Sequence, residues 1–156
     1  MKTKTKSELR AELDSLSSEA NTQARMYDSS IALLYHCLSS LYVWWREAQQ
    51  YEGFLEELYE EYGITTRRKN EENFVRVIRL VWRIDWDGNR GASLQSWSKA
   101  LREVHQEYET NKEKYSVNAV ENIILFIRSK GGVSGLTKNK EDSEDVTNDD
   151  HSVTKQ

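Results

Sequence analysis

Between Ser7 and Tyr62, apolar side chains recur at alternating steps of three and four, the period of a helix that carries a packing seam. One register sets Leu13, Ala20, Tyr27, Leu34, Leu41, Ala48, Leu55 and Tyr62 at one seam position. Ala24, Ile31, Leu38, Trp45 and Tyr59 fall at the other, with Glu52 as the polar interruption. Ser17 and Arg10 weaken the seam near its start. A second stripe of Leu33, Cys37, Trp44, Tyr51, Phe54 and Leu58 widens the apolar face. Such a width suits a bundle helix with neighbours on two sides. The short polar side chains of Asp28-Ser29-Ser30 offer a break and a cap, and Gly63 reads as a left-handed helix end.

Asn70-Glu71-Glu72 opens the next predicted helix, a capping residue followed by acids that face the positive end of the helix dipole. It should run to about Trp86 and bury Phe74, Val77, Ile78, Val81 and Trp82. Asp87-Gly88-Asn89-Arg90-Gly91 is a turn cluster, after which Ser93 caps a helix bearing Leu94, Trp97, Leu101, Val104 and Tyr108 on one face. Ser116 is placed to cap a last helix over residues 117–129. Its run Ile123-Ile124-Leu125-Phe126-Ile127 is apolar nearly all round, which predicts a central position, although a strand accommodates the same run. Gly131-Gly132 ends it.

Residues 137–156 hold no aromatic side chain and only two aliphatic ones, Val146 and Val153, too little to offset their ordering entropy. A disordered acidic tail is the expectation there, and a disordered basic arm at residues 1–6. The predicted fold is therefore all-α. A long amphipathic helix or helical hairpin over 7–63 packs on a small helical unit over 64–136. The wide apolar face of 7–63 also predicts self-association as a homodimer.

The 156 residues include no proline and seven glycines, which leaves room for long helices. A single cysteine, Cys37, excludes an internal disulfide framework and a cysteine-built zinc cluster. No apolar run of signal-peptide length follows the basic start, so the expected compartment is the cytoplasm. The longest uncharged stretch, residues 29–45, is 17 residues long and holds His36, Ser39 and Ser40, so no membrane span is expected. The net charge of −4 conceals a partition of −5 over residues 1–63, +4 over 64–105 and −3 over 106–156. The middle third is a basic island in an acidic chain.

Most candidate chemistries fail on spacing. Asp85, Asp87 and Asn89 alternate as in a calcium loop, but the places of its glycine and bidentate glutamate hold Arg90 and Ser96. His36 and Cys37 are adjacent on a helix, about 100° apart, and do not converge on one ion. The Glu-x-x-His pair of di-iron bundles is missing, because Leu33 and Arg102 stand three residues before His36 and His105. Glu52, Glu56, Glu57, Glu60 and Glu61 read as a solvated face that opposes the dipole at its helix end, with Arg67-Arg68-Lys69 the nearest basic partner. Gly132-Val133-Ser134-Gly135 matches the bare Gly-x-x-Gly pattern of nucleic-acid clamps. With no helix predicted after it, it reads as a helix end. No phosphate loop, dinucleotide fingerprint, nucleophile elbow or metalloprotease motif occurs, so no catalytic residue, metal ligand or cofactor is predicted.

The basic island carries the functional expectation. Arg76, Arg79 and Arg83, spaced three and four, share one face of their predicted helix. Arg67, Arg68 and Lys69 precede that helix, Arg90 follows it, and Lys99 and Arg102 lie on the next. Guanidinium groups grip phosphate bidentately, so the first expectation is a non-enzymatic DNA-binding accessory or regulatory protein that contacts the backbone. In the alternative, these cations pair with the chain's own acids and the protein is an adaptor or inhibitor of another protein. Tyr35, Tyr42, Trp44, Tyr51 and Phe54 would then be its interface anchors.

Overall fold

The computed structural model describes residues 3–25, 31–65, 74–84, 86 and 90–137, the stretch 90–92 by its backbone alone, and among these residues every regular element is helical. Helices α1 (Lys6–Arg25) and α2 (Ile31–Ala48) form an antiparallel hairpin. Its register is visible in three cross-contacts. Lys4 Nζ meets Glu47 at 3.1 Å, the Trp44 indole N–H donates to the Leu9 carbonyl at 2.9 Å, and His36 faces Glu19 at 3.9 Å. The hairpin is thus the form taken by the 7–63 pattern, and the expected break at Asp28-Ser29-Ser30 lies outside the described residues. No helix among the described residues is long and apolar enough to cross a membrane.

The start of α1 corrects the expectation of a disordered arm. The Thr5 hydroxyl accepts the Glu8 N–H at 3.1 Å while the Glu8 carboxylate accepts the Thr5 N–H at 2.8 Å, a reciprocal cap. Lys4 is held between Glu12 and Glu47, whose hydrogen bonds outweigh its partial burial and raise its pKa.

The continuous seam predicted to Tyr62 is interrupted. α2 stops at Ala48, and α3 (Phe54–Glu61) restarts after Gly53, whose φ of +79° places it in the left-handed region that glycine tolerates. The kink rotates the buried face to Phe54, Leu58 and Tyr59, so the seam positions Leu55 and Tyr62 are left half-buried and exposed. Gly63, at φ +69°, follows α3 as expected.

α4 is short, Val75–Val81, and ends well before Trp86. Trp82 is extended (φ −89°, ψ 95°), which buries its ring 4.8 Å from that of Trp97 and lets its indole N–H donate to Gln23 on α1 at 3.0 Å. The next N–H, that of Arg83, donates to Asn21 at 3.2 Å. Tertiary partners on α1 therefore replace the helical hydrogen bonds that periodicity alone would continue. α5 (Arg90–Thr110) then crosses the molecule, and a 3-10 turn (Lys112–Tyr115) leads to α6 (Ala119–Ser129).

α2 rather than α6 occupies the centre. Its two apolar stripes pack against α1 on one side and α6 on the other, with α4 and α5 also in contact. α6 fully buries only Ile123 and Ile127 and leaves Leu125 63% exposed, so its apolar run is amphipathic in use. Ser116 does not cap α6: its hydroxyl donates back to the Glu113 carbonyl at 2.8 Å, and Asn118 precedes the helix at φ +53°. After α6 a helical turn covers residues 132–137, where the sequence reads as a helix end. There Gly132 (φ +80°) is buried with no room between its α-carbon and the Tyr35 hydroxyl, and a Cβ on Gly135 would overlap the Lys130 carbonyl. The Gly-x-x-Gly pattern thus serves close internal packing. The acidic tail from Lys138 onward lies outside the described residues.

Candidate functional site

Arg76, Arg79 and Arg83 each meet partners within the protein. Arg76 sends its guanidinium to the Glu56 carboxylate at 3.2 and 3.3 Å and lies over the Tyr59 ring, 4.6 Å from its centroid. Arg83 lies over Tyr62 at 4.3 Å, reaches Asp14 at 3.6 Å, and donates through Nε to the Leu80 carbonyl at 3.1 Å. Arg79 donates to the Thr65 carbonyl at 3.0 Å. Together the three clamp α3 and α1 against α4. Each exposed ion pair contributes about 0.2–1 kcal/mol, and each stacked guanidinium about 0.5–1 kcal/mol. Lys99 and Arg102 sit half-buried on α5. Arg67, Arg68 and Lys69, with the side chain of Arg90, lie outside the described residues.

The acidic end of α3 finds basic partners on other elements. Arg10 of α1 meets Glu57 at 3.7 Å and Glu61 at 3.0 Å, and Arg76 holds Glu56. Because the helix restarts at Phe54, Glu56 and Glu57 lie in the first turn of α3, where acids suit the dipole, and Glu60 and Glu61 lie at its C-terminal end, which corrects the expectation of one acidic helix end.

The aromatic residues expected to anchor a partner are instead anchors of the monomer. Tyr42, Trp44 and Phe54 are at most 1% exposed, and Tyr35 is buried beneath the Arg128 guanidinium. Tyr51 is half-buried and its hydroxyl donates to the Lys4 carbonyl. A partner reaches the first four only by opening the fold. Cys37 is buried as well, and burial, helped by Glu19, pushes its thiol up to about 12, which leaves it unreactive at neutral pH.

What the tertiary structure opens is a cleft of about 270 Å³ where α2, α3, α4 and α5 meet. Trp45, Leu55, Tyr59 and Phe74 supply its apolar walls, and Gln49, Glu56, Arg76 and His105 its polar groups. The Trp45 and Phe74 rings are 4.7 Å apart, and His105 stands edge-on to Trp45 at 5.4 Å. This aromatic contact fixes the wall without filling the opening.

His105 ends a hydrogen-bonded chain that begins at Glu109. Arg46, bound to Glu109, donates to the Tyr42 hydroxyl at 3.3 Å, and that hydroxyl lies 2.7 Å from His105 Nδ1. The Tyr42 hydroxyl thus joins Arg46 to His105, and the imidazole tautomer decides which of the two groups donates at Nδ1. Burial lowers the His105 pKa and the nearby Arg46 charge lowers it further, against the pull of Glu109. Burial pushes the Tyr42 hydroxyl up to about 12 despite Arg46, so it stays protonated.

Sequence reasoning missed this cleft. Trp45 reads as a seam residue, and His105 is tested only as a metal ligand. Nothing in the spacing links positions 45, 55, 74 and 105, which four separate helices bring together. Among the described residues no three of His, Cys, Asp and Glu converge as a metal-holding group. No protein-family model, no curated protein and no solved structure matches the chain.

Proposed function

We propose that this protein is a non-enzymatic helical interaction module that recognises another protein, and that the α2–α5 cleft is its anchor pocket. The cleft carries the reading: aromatic walls, a polar rim and half-open access are the features of a site that receives one large side chain. The cleft, at about 270 Å³, has room for one bulky side chain and lies just below the usual range of small-molecule sites.

The arginines weigh in the same direction. Arg76 and Arg83 already have carboxylate and tyrosine partners within the protein. One observation favours DNA binding as a second reading. The partner carboxylates Glu56 and Asp14 are 67% and 69% exposed, so phosphate would displace weak pairs.

Two experiments separate these readings. A photo-crosslinker at Gln49, on the cleft, is expected to give a discrete protein adduct in the producing cells that Leu55→Arg abolishes. A labelled 30-base-pair duplex, titrated at two salt concentrations, is expected to show no binding. Micromolar affinity with a steep salt dependence, lost in the Arg79→Glu/Arg83→Glu variant, would move the function to the phosphate backbone.

A further inference from the structure

We infer that the contact between Tyr42 and His105 is a pH-sensitive latch on the wall of the cleft, which holds the imidazole while it is neutral and releases it once it is charged. Its bearing on function rests on the cleft being the interaction site, since His105 lines that cleft with Trp45 and Phe74. Nδ1 lies 2.7 Å from the Tyr42 hydroxyl, and that hydroxyl already accepts from Arg46 at 3.3 Å.

Counting donors and acceptors shows why charge matters here. A neutral imidazole has a tautomer that accepts the hydroxyl's hydrogen at Nδ1, so the oxygen serves Arg46 and the hydrogen has an acceptor. An imidazolium carries hydrogen on both nitrogens, and Nδ1 then only donates. The Tyr42 oxygen would accept from two cations at once, and its own hydrogen would need another acceptor. Among the described residues Tyr42 has no hydrogen-bond partner besides Arg46 and His105.

The charged and titratable groups about the ring come from each neighbouring element. α2 supplies Tyr42 and Arg46, and α5 itself supplies Arg102, Tyr108 and Glu109 at helical spacings of three and four. Around the same cleft stand Glu56 and Tyr59 of α3 and Arg76 of α4. Glu109 favours a charged ring, but its carboxylate is already held by Arg46 and Lys112, and Glu56 is held by Arg76. Burial opposes the charge. The ring stands edge-on to Trp45 at 5.4 Å and 6.1 Å from Phe74. An imidazolium that leaves the hydroxyl therefore leaves the two rings that form the cleft wall, and access to the cleft follows the charge on one side chain.

The test is NMR of the full chain from neutral pH down to about pH 5, with far-UV circular dichroism to verify that the helices persist. Nuclear Overhauser contacts from the His105 ring to Trp45 and Phe74 are expected at neutral pH and should be lost in step with the titration of His105. Tyr42→Phe should raise the midpoint of that titration, because it removes the partner that suits only the neutral ring while Arg46 remains. An unchanged or lowered midpoint would overturn the latch. So would ring contacts that persist in the charged state, or a ring that stays neutral throughout. Should Tyr42→Phe fail to fold, the ring contacts of the parent protein decide alone. None of these outcomes bears on the anchor pocket itself, which the Gln49 crosslink at neutral pH tests separately.

Discussion

Replacing Trp44 by alanine distinguishes a core anchor from a partner contact. Trp44 is 1% exposed and ties the two arms of the hairpin through its hydrogen bond to the Leu9 carbonyl. Truncating a buried tryptophan costs about 3–5 kcal/mol, counting both lost transfer energy and the residual cavity. A single domain has about 5–15 kcal/mol in total, so the variant should remain folded at low temperature but with a large share of its stability gone. For a chain of this size each kcal/mol moves the melting temperature by roughly 2–4 °C, so the expected fall is about 10 °C. Trp44→Phe, which keeps most of the ring but not the donor, should cost about 1–2 kcal/mol, of which the hydrogen bond accounts for about 1. The assay is urea unfolding followed by far-UV circular dichroism, because the other tryptophans confuse a fluorescence signal. A shifted midpoint at unchanged slope reports stability directly. The reasoning is refuted if Trp44→Ala melts within 2 °C of the parent, or about 1 kcal/mol, while losing a captured partner.

Further outcomes follow from the same contacts. Leu55→Arg, at a half-buried cleft position, should cost less than about 1 kcal/mol while blocking the cleft, a contrast with Trp44 that thermal melting reads directly. Gly132→Ala should destabilise strongly through overlap with the Tyr35 hydroxyl. In a Tyr35→Phe background its cost should fall but not vanish, since the φ of +80° remains; additive costs in the double-mutant cycle would refute the contact. The folded-state pKa of His105 lies below its unfolded value of 6.5, so its contribution to stability is complete above that value and is lost as pH falls below it. Urea midpoints should decline below pH 6.5, and a His105 pKa above 6.5 by NMR would contradict this sign. Cys37 should resist a thiol reagent at pH 8 in the native protein and react at once in denaturant.

The legibility of this chain tracks how local each determinant is. Helices at 6–25, 31–48, 90–110 and 119–129 follow from apolar periodicity and the absence of proline, both of which act within a few residues. The left-handed Gly63 is equally local. The cap from Thr5 to Glu8 was also legible, as a Thr-x-x-Glu spacing, yet the lysines around it suggested a disordered arm.

The arginine spacing puts Arg76, Arg79 and Arg83 on one helix face, but α4 holds Arg76 and Arg79 and ends before Arg83, and spacing says nothing of what a side chain faces. Glu56, Tyr59, Tyr62 and Asp14 reach these cations from 17 or more residues away in sequence, and only folding chooses between them and a phosphate. The same holds for the aromatics. A tyrosine on an apolar stripe reads alike as anchor or as core; Trp44 is buried against α1, Tyr35 beside Arg128 of α6, and Tyr42 against Phe74, His105 and Tyr108.

By itself, then, the sequence determined that the protein is helical, where most helices lie and which faces are apolar, because those depend on near-neighbour periodicity. The tertiary structure decided that Gly53 breaks the seam, that Trp82 ends α4 early, and that Trp45, Phe74 and His105 share a cleft. Each depends on contacts between residues far apart in the chain, whose free energy exceeds any local preference and leaves no period to read.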